Sequence, residues 1–236
     1  ATAIGSFMAN LVPTSNLAQS GFAYTFTQLG TFRGFCRLMD YSTQCRTPWT
    51  ATGTDLQRPT TLDFAITTRG ATPAELANFP DLSAYPFAAA PVALIHNVLN
   101  LTAPLVLSRL TVAKIFRKCD LTAAFPCEPD DIRYWNDTRI KALNPGQEDA
   151  LDAAGEIKLL IRRDSAGITA AVKRAMALFE EGFARQINNE GHDPDSNIWR
   201  SVKGTRVYGL FSIGSTVLNT PSSISYVSLD VATALN

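Results

Sequence analysis

The chain has little metal-binding chemistry and no surplus of either charge. Its 236 residues carry 21 Lys and Arg against 21 Asp and Glu, a formal net charge of zero. That balance argues against a broad basic face for nucleic acid and against a polybasic membrane patch. Histidine occurs only at His96 and His192, and none of the four cysteines lies in a C-x-x-C pair, so no metal site is expected. No cofactor signature is present. The most apolar stretch, residues 84–95, is too short to span a bilayer and runs into His96, Asn97 and Asn100. No G-x-S-x-G elbow and no nucleophile–base pair stand out, so no enzymatic activity is expected. Repeats and low-complexity tracts are also missing.

What is present is a globular composition, 46% hydrophobic and 18% charged, in a chain long enough for one large domain or two small lobes. Cys36, Cys45, Cys119 and Cys127 allow three pairings. The local one, Cys36–Cys45 with Cys119–Cys127, closes two short loops, each bridge contributing roughly 2–3 kcal/mol by loop entropy. Four reduced thiols in a cytosolic protein are the alternative. Two N-glycosylation sequons start at Asn100 and Asn136. With an even cysteine count they favour an oxidising compartment of a eukaryote, secreted or at the cell surface. No signal peptide is seen, and the start at Ala1 rather than Met fits a processed secreted protein or an excised domain.

Along the chain, strand-like and helix-like patterns alternate. Residues 21–29, 61–67, 88–96, 157–161 and 223–229 read as strands. Helical spacing marks residues 108–116, 169–187 and 207–217, and Thr72-Pro73-Ala74-Glu75 reads as a helix start. Asp130 and Asp131, after Pro129, read as the acidic first turn of a helix. The alternation predicts an α/β fold with mostly parallel pairing.

One stretch suggests a ligand. The apolar run 157–161 leads through Arg162-Arg163-Asp164-Ser165-Ala166-Gly167 into a helical pattern. A strand turning through small residues into a helix start leaves unpartnered N–H groups and partial positive charge at the turn. Arg162 adds a fixed cation with a bidentate fork; pairing with Asp164 is the competing role for it.

Seven motifs in order resemble the periplasmic phosphate-binding proteins, the substrate-binding subunits of phosphate ABC importers. Residues 135–146 (WNDTRIKALNPG) resemble that family's "KWNDPAIKALNPG" segment. Arg162 to Thr169 is similar to its "R-x-D-G-S-G-T" loop. Lys203-Gly204 resembles its "KG" turn, and residues 221–227 (PSSISYV) its "PGSIGYV" strand. Residues 61–68 resemble "TVDFGASD", Gly5-Ser6-Phe7 resembles the "G-A-T-F" ligand loop, and Gly30-Thr31 falls at a "G-S" loop.

The resemblance implies a two-lobed α/β module of the type II periplasmic-binding-protein kind, with ligand in the cleft. Lobe 1 would take residues 1–90 plus 228–236 and lobe 2 residues 91–227. Residues 88–96 and 223–229 would be the two hinge strands. It also implies a ligand set: Ser6 and Phe7, Thr31, Thr68, Arg162 and Gly167, with Ser165 as a shifted hydroxyl. Departures accompany it. Ala166 and Ile168 stand where the family has hydroxyl donors, and Thr68 stands where it has the aspartate that accepts the proton of phosphate. Loss of that acceptor predicts loss of discrimination between phosphate and sulfate. Two functions are expected on this footing. One is an extracytoplasmic, non-catalytic binding module for a small oxyanion, phosphate or sulfate, with an altered site. The other is a structural or adhesive module of an extracellular glycoprotein, with protein partners, that keeps the fold without the ligand.

Overall fold

A computed structural model describes residues 70–71, 73–86, 89, 91–117, 128–164, 166–189, 199 and 204–235. Two compact units divide the chain, residues 1–90 with 165–167, and residues 91–164 with 168–236. Within the first, the described secondary structure is one short helix, α1 (Pro73–Asn78), opened by a proline whose missing N–H costs nothing at that position.

The second unit is α/β and is built on a four-stranded mixed sheet. Its strands are β1 (Val92–His96), β2 (Lys158–Arg162), β3 (Thr205–Val207) and β4 (Ser223–Ser228), in the order β1-β4-β2-β3. β2 pairs in parallel with both β3 and β4. β1 runs antiparallel to β4, with Leu94 opposite Tyr226.

Alternation along the strands sends side chains to two separate cores. Leu159, Ile161, Ile224 and Tyr226 face one core with Phe116, Trp135, Phe183 and Trp199. Leu160 and Val227 face the other, with Leu210, Ile213, Val217 and Val231. β4 is buried along its whole length, and two of its three serines are satisfied locally: Ser225 Oγ donates to Leu160 O at 2.7 Å and Ser223 Oγ to Val217 O at 3.3 Å.

The helices after β1, of which α5 draws only its first residue from the first unit, are α2 (Arg109–Phe116), α3 (Thr138–Lys141), α4 (Glu148–Ala154), α5 (Gly167–Phe179), α6 (Glu181–Asn189), α7 (Leu210–Leu218) and α8 (Leu229–Ala234). α2 starts where the sequence places it, because the Ser108 hydroxyl accepts the Thr111 N–H at 3.0 Å. After β4 the chain forms α8, whose Val231 packs on the second core together with Leu235.

Three sequence expectations are corrected. The helix expected over residues 169–187 is two helices, α5 and α6, broken at Glu180. The Glu180 carboxylate accepts the N–H of Gly182 at 2.9 Å and that of Phe183, which caps α6. The segment 207–217 begins as the end of β3 and turns at Gly209 before α7. Asp130 and Asp131 open no helix; Asp130 lies in a turn, and both are ion-paired.

Those ion pairs converge on Arg117, at the end of α2. Its Nε donates to Asp131 Oδ1 at 2.6 Å, its Nη1 to Glu180 Oε2 at 3.0 Å, and its Nη2 to Asp130 Oδ1. Lys114 also holds Asp130, and with Arg117 draws that carboxyl down to about 2. Burial outweighs Arg117 at Asp131 and pushes its carboxyl up. Gly182 leaves room for this network, since a Cβ there would lie 1.9 Å from Arg117 Nη1. Gly182→Ala is therefore expected to displace the guanidinium and destabilise the fold by about 1–3 kcal/mol. Chemical denaturation checks this; an unchanged midpoint would mean that Arg117 is not held as seen.

Candidate oxyanion site

The site begins at the carboxyl end of β2, the end of a parallel sheet at which open α/β folds place ligands. Arg162 is the last residue of β2 and lies opposite Val207 of β3. The Arg163 N–H closes the pairing on Val207 O at 2.9 Å, and the chain then bends at Asp164.

The Arg162 side chain is 5% exposed, so its charge needs a partner. Asp164 supplies it. Nε donates to Asp164 Oδ1 at 3.0 Å and Nη2 donates to Oδ2, a fork-on-carboxylate pair in which Nη1 takes no part. Asp164 Oδ1 also accepts the N–H of Gly209 at 3.1 Å. Burial raises the Asp164 carboxyl, but the hydrogen bonds and charge of Arg162, with the Gly209 N–H, bring it below its ordinary value.

Gly209 is required for a backbone reason. At φ +87° and ψ 153° it occupies a region essentially reserved for glycine, and so it can aim its N–H at the carboxylate while opening α7. It was not among the expected site residues; the sign was a lone glycine between a strand pattern and a helix pattern.

Downstream, Gly167 opens α5, where the first N–H groups lack intrahelical partners. Ala166 is buried, and Ile168 packs against both hydrophobic cores, so the positions of the two replaced hydroxyls are apolar. The next hydroxyl, on Thr169, is buried and bonded to Tyr226 OH at 2.9 Å. Burial pushes that phenol up, so it stays protonated. Arg162 thus closes β2 and Gly167 opens α5. Ser6, Phe7, Thr31, Thr68 and Ser165 lie outside the described residues, as do Cys36, Cys45, Cys119 and Cys127.

The motif over residues 135–146 has a structural duty. Trp135 is fully buried and donates Nε1–H to Ser222 O at 2.9 Å. Asp137 caps α3 by accepting the Arg139 N–H at 2.9 Å. Asn144 pairs with both backbone groups of Val106, at 2.7 and 2.8 Å, and Gln147 grips Ala103 in the same way. Two side-chain amides therefore hold the segment before α2 much as a β-strand would.

Comparison with known proteins gives a partial relative. Over 103 residues, 43% of this chain, the sequence is 32% identical to the phosphate-binding protein PstS of Methanocaldococcus jannaschii. The matched part covers 25% of that protein's length. No protein family matches the chain. The similarity supports a distant relation to a phosphate-binding protein. Among the described residues no helix is long and apolar enough to cross a membrane.

Proposed function

We propose that the chain is a non-catalytic solute-binding module for a small oxyanion, phosphate or sulfate, working outside the cytoplasm. The observation that carries the reading is the buried Arg162 guanidinium at the carboxyl end of a parallel strand, already engaged by a carboxylate in the geometry an oxyanion would use. The partial likeness to a phosphate-binding protein supports it. The residue replacements argue for a weakened site. Each lost hydroxyl removes about 1 kcal/mol or more toward a charged ligand, and Asp164 competes for the same fork.

That competition also favours a second reading, in which the Arg162–Asp164 pair is a finished structural ion pair and the module serves an extracellular glycoprotein through protein contacts. A thermal titration with phosphate and with sulfate at low salt separates the two. The binding reading expects both anions to raise the melting temperature by similar amounts, because Thr68 offers no carboxylate to a phosphate proton. It also expects Arg162→Ala to abolish the response. No shift with either anion would sink it and leave the second reading standing.

A further inference from the structure

The two sequons differ in what their asparagines are doing in the folded chain. Asn100 lies in an exposed turn at φ +61°, the left-handed region that asparagine tolerates better than most residues. Leu99 beside it is 56% exposed. The backbone on both sides is fixed. The Asn97 N–H donates to Ser223 O at 2.9 Å, and the Thr102 N–H donates to Gln147 Oε1 at 3.0 Å. The turn is thus a rigid projection that presents the Asn100 amide and leaves Thr102 exposed. Asn136 is also exposed, but it sits between fully buried Trp135 and the helix-capping Asp137, inside a segment whose backbone those neighbours fix.

We infer that Asn100 is an N-glycan acceptor of this protein, and that it is used in preference to Asn136. The reaction requires a polyprenyl-pyrophosphate-linked oligosaccharide and an oligosaccharyltransferase. The Asn100 amide nitrogen attacks the first sugar at C1 and a C–N bond forms. The C1–O bond to the pyrophosphate breaks, the lipid pyrophosphate leaves, and the amide gives up one proton to a base of the transferase. The Thr102 hydroxyl completes the acceptor motif. The fold then carries the glycan without rearrangement, because among the described residues the Asn100 side chain makes no hydrogen bond or ion pair.

The test is glycopeptide mapping of the unaltered chain secreted from a eukaryotic host. The expected result is a sugar on the Asn100 peptide that a peptide-N-glycosidase releases, leaving aspartate at that position, with lower occupancy at Asn136. Thr102→Ala should remove the modification without disturbing the left-handed turn, and the secreted variant should run lighter by one glycan. A bare Asn100 peptide in the secreted, folded chain would overturn the inference. So would occupancy at Asn136 equal to or above that at Asn100.

Discussion

Replacing Arg117 with methionine is expected to destabilise the fold by about 3–5 kcal/mol, the usual consequence of removing one partner from a buried ion pair. The methionine fills most of the volume, so the loss is electrostatic rather than a cavity. Asp131 is 2% exposed and Glu180 is 11% exposed, and neither can recover its hydration without opening the structure. Asp130 contributes far less, since it is 48% exposed and keeps Lys114. A pH signature separates this cause from simple mispacking. Asp131 already stands above the ordinary carboxyl value with the arginine in place, because burial raises it more than the guanidinium lowers it. Without Arg117 the largest opposing influence is gone. A carboxyl raised in the folded state binds its proton at higher pH than in the unfolded chain. Stability then falls as pH rises through that window and returns as pH falls. The deficit of the variant should therefore be largest near pH 7 and shrink toward about pH 5. Urea midpoints at the two pH values measure it, and a deficit independent of pH would refute the account.

The same network shows where sequence reasoning stops. Strands β2 and β4 and helix α2 were legible because their signals are local: apolar runs of strand length, and a serine at the α2 N-cap. The break between α5 and α6 was not, because apolar residues keep helical spacing across it. The cap is a glutamate whose carboxylate folds back on Gly182 and Phe183. Asp130 and Asp131 carry the pattern of an acidic first turn, yet they answer to Arg117, 13 and 14 residues away. Local chemistry allowed both roles, and tertiary packing chose.

Ser222 is a further instance. It adopts φ +66° where the resembling strand has glycine, a conformation that costs a non-glycine residue roughly 1–2 kcal/mol. Its hydroxyl donates to Ala154 O at 2.6 Å, its N–H to Asn97 O at 2.7 Å, and its carbonyl accepts from Trp135 and Lys158. Those bonds offset the strain. At the candidate site, Arg162 and Asp164 are two residues apart, so their pairing was legible as an alternative. Gly209 lies 45 residues from Asp164 and was not.

Asp164→Ala is expected to have the second large effect, and to bear on function as well as stability. In anion-free buffer it leaves the buried Arg162 charge without its carboxylate, at a cost of about 3 kcal/mol. The wild-type contribution has the opposite pH sense to Asp131. The Asp164 carboxyl is depressed in the folded state, so its stabilisation is present above the unfolded value of about 3.9 and is lost as pH falls below it. Removing the side chain also empties the fork and frees the Gly209 N–H, two donor groups with the geometry of an oxyanion site. Sulfate or phosphate should then replace the missing carboxylate. The recovery follows mass action, about 2.7 kcal/mol at a hundred times the dissociation constant. The variant should therefore respond more strongly to anion than the wild type, in which Asp164 holds the same position. Asp164→Asn keeps the shape and the Gly209 acceptor while losing the charge, and should fall between the two. Equal anion responses in wild type and Asp164→Ala would mean that the anion does not compete at Arg162. In that event the pair belongs to the architecture and not to a binding site.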